Sequence, residues 1–415
     1  MGDNDQRSAC HECDDYRISR RTLLRGVIGI GATTALFGTT LVQTAYAAAP
    51  VGNVLVVVSL RGAADGLSLV VPHGDAAYYK ARPNIAIPAT KLLARNGFFG
   101  LHPNLAPLMP LWKAGRMAAV HATGLPAPNR SHFAAMEELE DADPGSAARI
   151  GWLNRLVGRD SSTNVLRGMG MGMSTPITAL YGPRATVTTA SVDDMSLAGA
   201  QDNPRRTTAM RTTWGAAPGE IGRGGRAALA AVNAFAPVRA SAAQPANGAK
   251  YADDDLGRAL AASARTIRAG VGVEVIAVDH DGGWDMHTGL GTLEWGAMLR
   301  ASQSLSQNLA AFYTDLGSRG DKVTLVTISE FGRRVKENAN YGLDHGHGNV
   351  MFVLGGGVKG GYYGKWTRLA ATDDADVPVT TDYRSVLAEV VTKRLGASTA
   401  TVFPGFKPVT VGAVR

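Results

Sequence analysis

Cysteine is almost missing from this chain. Of its 415 residues only Cys10 and Cys13 are cysteines, and both precede an apolar stretch that reads as a removable leader. The rest of the chain therefore has no disulfide and no thiolate nucleophile, and iron–sulfur and copper–thiolate centres are excluded. The local "CHEC" is too small a set for a structural metal site, which needs four ligands. A second apolar run of membrane-spanning length is also lacking, so no stable membrane span is expected after processing. The net charge is +7, but the basic residues are scattered, and aromatic residues, at 7% of the chain, do not alternate with them. That pattern excludes a nucleic-acid platform, which needs a basic groove interleaved with stacking rings.

What is present begins with an address. "ISRRTLLRG" is followed by "VIGIGATTALFGTTLV" and "TAYAAAP": a basic region, an apolar core and a small-residue processing site around Ala45-Tyr46-Ala47. The paired Arg20 and Arg21 make residues 1–47 a twin-arginine leader by type, and a periplasmic or extracellular destination is expected. Glycines and threonines interrupt the apolar core, which disfavours the alternative of an uncleaved anchor. Residues 48–415 are then enough for one large domain or two modest ones, and the reading is of one.

Four runs have the length and β-branched character of buried strands: "NVLVVVSL" (53–60), "VEVIAVD" (273–279), "KVTLVTIS" (322–329) and "VMFVLGG" (350–356). Continuous rather than alternating hydrophobicity predicts strands covered on both faces. Helical stretches separate them, among them "HFAAMEELED", "GRALAASARTIRAG", "GAMLRASQSLSQNLAAFYTDLG" and "YRSVLAEVVTKRLG". The expectation is an α/β fold, a three-layer sandwich on a mainly parallel central sheet. Around 200–250 the composition turns to Ala, Pro and Gly and reads as a variable insertion, and "GMGMGMS" (168–174) reads as a flexible stretch.

Polar clusters fall just after the predicted strands, where open α/β sheets place their sites. "LRGAADG" carries Asp65, which either holds a cation or belongs to an ordinary Asp-Gly turn. "APNRSHFAAMEELE" puts Ser131 where a helix begins. There it is an N-cap or, with Arg130 neutralising an anion and His132 orienting it or shuttling a proton, a nucleophile. "VDHDGGWDMHTG" holds five metal-capable side chains, Asp279, His280, Asp281, Asp285 and His287. Asp285 and His287, two apart, point to one side if the chain there is extended. "SEFGRRVKENANYGLDHGHGN" adds Glu330, Asp344, His345 and His347. Five of the eight histidines after residue 47 lie in these loops beside carboxylates. That gathering predicts a metal centre of one or two divalent ions, zinc first, manganese or calcium next.

"LRGAADGLSLVVP", "FFGLHPNLAPLMPLW", "NRSHFAAMEELE", "GGWDMHTG", "SEFGRRVKENANYGLDHGHGN", "GGGVKGG" and "TDYRSVLAEVVTKRLG" together resemble the exported DUF1501 proteins. That family is similar in fold to the alkaline phosphatase and sulfatase superfamily, whose members act on phosphate or sulfate esters with divalent metals. The resemblance implies an alkaline-phosphatase-like fold in which Asp65 is a metal aspartate, Ser131 the nucleophile, and Asp285 and His287 the pair on one metal. It makes Glu330 the carboxylate after the next strand and His345 the later histidine ligand. Two departures stand out: Phe331 follows Glu330 where the superfamily has histidine, and Asp285 and His287 are unusually close together. The "RSHFA" context of Ser131 does not fit a formylglycine sulfatase.

The leading functional expectation is an exported metal-dependent hydrolase of small anionic phosphate esters, with sulfate or phosphonate esters behind. Ser131 would attack, and Arg130 or Arg333 would offset developing charge. Asp344 and His347 are expected as further ligands or as groups supporting them. The alternative is a non-catalytic, metal-stabilised extracellular binding or surface protein. Carbohydrate chemistry with paired acids is a third reading, for which no spacing in the sequence speaks.

Overall fold

A computed structural model describes residues 52–144, 146–196 and 203–415; the leader expected over 1–47 lies outside the described residues. The central sheet has nine strands. In chain order they are β1 (Val54–Leu60), β4 (Met117–Gly124), β5 (Gly168–Met171), β6 (Val187–Thr189), β7 (Val275–His280), β8 (Val323–Ile328), β9 (Asn349–Gly355), β10 (Gly361–Tyr363) and β11 (Thr381–Asp382). A separate antiparallel pair is formed by β2 (Val70–Val71) and β3 (Gly100–Leu101). Across the large sheet the order is β10-β4-β9-β8-β1-β7-β5-β6, with β11 also on β4. Strands β8, β1, β7, β5 and β6 are parallel, while β9 runs antiparallel to both of its neighbours, β8 and β4.

The unbroken apolar runs have the origin expected of them. Along β1, Val54, Val56, Val58 and Leu60 enter one core cluster and Leu55 and Val57 another, so alternate side chains serve opposite faces of the sheet. One face is covered by the helices Asp255–Ala269 and Ala297–Leu316, through Leu260, Ile267, Leu305 and Phe312. The other carries His132–Asp141, Trp152–Val157 and Tyr383–Leu395, through Leu139, Leu153 and Val390. Each such Val, Leu or Ile contributes about 1.5–3 kcal/mol by leaving water. The result is a mixed α/β fold on a large, mostly parallel sheet. All four runs read as strands are strands, and one of them, β9, is antiparallel, a direction that burial on both faces does not specify.

Two local readings change. Gly168–Met171, expected to be flexible, is β5 in the interior of the sheet. Met169 and Met171 fill the core, while a Cβ at Gly168 would stand 3.1 Å from Val157 and one at Gly170 2.8 Å from the Thr188 hydroxyl. The glycines there answer close packing, not mobility. Strand β4, "MAAVHATG", is too alanine-rich to announce itself. In the 200–250 region the chain forms helices Pro204–Gly215, Gly219–Ala234 and Ala236–Ala240. The first buries no residue, whereas Leu229, Phe235 and Val238 are packed inside.

Candidate metal centre

Strand direction brings the polar loops together. The chain leaves the sheet at one edge from the C-terminal ends of β1, β4, β7 and β8. Because β9 is antiparallel, the loop that precedes it arrives at the same edge. Gly62, His132, Asp285, Glu330 and His345 therefore meet, although 283 positions separate the first from the last. The loops are also stitched to one another. Asn349 donates to the carbonyls of Ala64 (2.9 Å) and Phe331 (2.7 Å), and a short bridge pairs Arg333 with His345. A Cβ at Gly346 would lie 2.3 Å from the Arg333 carbonyl carbon, so that bridge requires glycine.

After β7, Trp284 and Met286 are buried and Asp285 and His287 face outward, the alternation expected from their spacing. His132 enters from the start of the His132–Asp141 helix. Its Nε2 lies 2.9 Å from His345 Nε2, which in turn lies 2.8 Å from His287 Nε2. Asp285 Oδ1 is 3.7 Å from the first of these nitrogens, 3.6 Å from the second and 3.3 Å from the third. His132, Asp285 and His345 have the spacing to hold a divalent ion, and His287 Nε2 stands beside two of these donors, His345 and Asp285. Zinc bonds of about 2.0–2.1 Å to N and O in a tetrahedron imply edges of about 3.3–3.4 Å, and the contacts among His132, Asp285 and His345 run from 2.9 to 3.7 Å.

The protons on the rings decide what these contacts mean. His132 Nδ1 faces Glu330 Oε1 at 2.8 Å, His287 Nδ1 faces Asp344 Oδ1 at 3.1 Å, and His345 Nδ1 faces the Arg130 carbonyl at 2.9 Å. Ionised carboxylates and carbonyls only accept, so each Nδ1 carries the proton and donates it. In neutral rings each Nε2 is then left with a lone pair, and the three atoms face one another and a carboxylate oxygen. Without a cation that arrangement is repulsive; with one it is the familiar carboxylate–histidine–metal design.

Electrostatics agree. Burial works to raise the Asp285 carboxyl, but Arg333 overrides it and holds the group below its ordinary range. Glu330 is likewise opposed by burial and is lowered by hydrogen bonds from His132 and from the backbone. Desolvation keeps His345 below the usual imidazole value, with Arg333 and the other two rings pushing the same way, so it stays unprotonated and able to ligate.

Several residues take other places than the sequence suggested. Asp65 does not join the group: both its oxygens are bound by the fully buried Arg82, at 2.5 and 2.9 Å, and it caps the Gly66–Leu69 turn. Glu330 turns both oxygens to local partners, His132 and the Gly62 amide on one side and Ser329 on the other, and so orients a ligand. His132, read as a proton carrier, belongs to the donor group. Arg333 is buried and donates to the carbonyls of Gly62, Ala63, Trp284 and Leu343 and to Asp285 at 2.6 Å, which leaves it no face for an anion. Arg130 pairs with Asp376 and offers only its carbonyl to the centre. His347 meets the Leu125 carbonyl at 2.9 Å, and Asp344 orients His287. Ser131 is an exposed N-cap whose hydroxyl accepts from the Ala134 amide at 3.5 Å. His280, on the far side of the loop, packs under Trp284 and Ser304.

A cavity of about 500 Å³ adjoins the centre, with His132, Asp285 and Glu330 in its wall. The sequence held no signal for that cavity, because Met173 and Ile177, which also line it, come from the loop after β5. Among the described residues one group, His132, Asp285 and His345, has metal-ligand spacing.

No curated protein matches the chain. A family model described as "Protein of unknown function (DUF1501)" matches residues 111–403, which include His132, Asp285, His287 and His345. The chain belongs to the DUF1501 family.

Proposed function

We propose that this protein is an exported metal-dependent hydrolase with a single ion held by His132, Asp285, His287 and His345. The observation that carries the reading is the convergence of three Nε2 atoms and a carboxylate oxygen beside a cavity whose wall includes His132 and Asp285. Three imidazoles and one carboxylate suit zinc, with manganese second; calcium, which takes oxygen ligands, does not fit. A divalent ion in this position supplies Lewis acidity toward a substrate oxygen. Arg333 fixes Asp285, and Glu330, Asp344 and the Arg130 carbonyl fix the three rings, so the donors are held in place beforehand.

The attacking group in this proposal is water, and Ser131 serves the helix. An exposed hydroxyl accepting an amide proton has no base to activate it in that pose. The anionic ester expected from the resemblance finds little support in the cavity, since Arg130 and Arg333 are both engaged elsewhere. The proposal is tested by metal analysis of the protein purified after export, followed by a panel of phosphate, sulfate and carboxylate esters, amides and glycosides. Turnover of one class that disappears in His345→Ala supports it. One equivalent of metal with no turnover anywhere in the panel would favour the binding-protein reading instead. Fractionation of cells carrying Arg20→Lys/Arg21→Lys checks the export route, with accumulation in the cytoplasm expected.

A further inference from the structure

We propose that the cavity beside the donors admits a positively charged group, an amine of the substrate, and turns away phosphate and sulfate. The inference rests on the metal-centre reading above and adds the substrate's charge to it.

The cavity lining is rich in carboxylates and poor in available cations. Arg61 is the one arginine or lysine in it, and its guanidinium is already shared between Glu140 at 2.7 Å and Asp279 at 3.1 Å. Glu137, also in the lining, pairs outward with Arg149 at 3.0 Å. Asp281 is exposed and has no ion pair among the described residues. Two surplus negative charges therefore face the cavity from the Arg61 side.

The metal centre does not make up the deficit. A divalent ion and Arg333 bring three positive charges, and Asp285, Glu330 and Asp344 bring three negative ones, so the centre is close to neutral when loaded. An incoming phosphate would add its own charge to the surplus, while an ammonium would relieve it, in a partly enclosed space where screening is weaker than in water. Burial raises the Asp279 carboxyl, Arg61 opposes this, and Asp281 and Glu330 push it upward again, with a net rise; Glu140 also rises, mainly through burial. Met136, Met173 and Ile177 add apolar surface to the same lining, suited to the carbon skeleton that carries the amine.

The test uses three probes that share a four-carbon chain and differ in charge: butylammonium, butanol and butyl phosphate, titrated into the zinc-loaded protein at pH 7 by ligand-observed NMR. The expected order of affinity is butylammonium, then butanol, then butyl phosphate, with at least tenfold between first and last. Asp281→Asn should weaken butylammonium about three- to tenfold and leave zinc content unchanged, and Asp281→Lys should bring butyl phosphate above butylammonium. Equal binding of the three, a preference for butyl phosphate in the unaltered protein, or no saturable binding of butylammonium overturns the proposal. Zinc content, measured on the same samples, separates this from failure of the metal centre: a protein without zinc refutes the centre, whatever the probes do.

Discussion

The Nε2 atoms of His132 and His345 stand 2.9 Å apart while the Nδ1 of each ring is already hydrogen-bonded, to Glu330 and to the Arg130 carbonyl. Two neutral imidazoles so held have no proton to share between them. In the proposed centre both rings are ligands of the same ion, which has measurable consequences.

Replacing His345 with Ala removes the ring that touches both other imidazoles. Bound zinc should fall from one equivalent toward zero by elemental analysis, and chelation should lower the Tm of the unaltered protein but not that of the variant.

Glu330→Gln keeps an oxygen for His132 but gives up the charge that makes His132 a strong ligand. Zinc affinity should drop about 10- to 100-fold, measured by competition with a chromogenic chelator, with the fold retained by circular dichroism.

Asp65→Asn tests a residue that sequence alone placed at the metal. With Arg82 left charged and buried, the protein should lose about 3–5 kcal/mol of stability in denaturant unfolding. Zinc stoichiometry should not change; a loss of bound zinc in folded variant would return Asp65 to the centre.

Ser131→Ala should cost about 0.5–1 kcal/mol through the lost cap, with both zinc content and any turnover preserved. Disappearance of turnover with full metal content would restore the serine as nucleophile.

Burial lowers His102, His121 and His280 to about 4, from 6.5 when unfolded. Between those values the unfolded chain binds more protons, so stability rises with pH there and is lost as pH falls from about 6.5 to about 4. At roughly 1.4 kcal/mol per pH unit, each contributes up to about 3 kcal/mol of that loss. Tm should fall steadily over this window, and His280→Gln should flatten part of the slope.

Much of the scaffold was legible in the chain. The runs at 53–60, 273–279, 322–329 and 350–356 announced strands because burial on both faces demands continuous apolar sequence. The helix at His132–Asp141 announced itself through its cap and spacing. Strand β5 did not, since Met-Gly alternation looks like a linker until Val157 and Thr188 are seen pressing on the glycines. Within the site, the i, i+2 spacing of Asp285 and His287 was readable and the exclusion of Asp65 was not. Arg82, which claims Asp65, lies in an unremarkable stretch 17 residues on.

The sequence by itself determined the kinds of donor available and the loops that carry them: imidazoles and carboxylates, with no thiolate outside the expected leader. Only the tertiary structure decided which of them converge and which orient the others. His132, expected to orient an anion or shuttle a proton, joins the donors, and Glu330, expected among the ligands, orients it, because the reversed direction of β9 sets His345 against His132 Nε2 and leaves Glu330 on the far nitrogen of the same ring. Which face of an imidazole meets a proton acceptor and which meets an ion depends on strands distant in the chain, and no local pattern of residues encodes that.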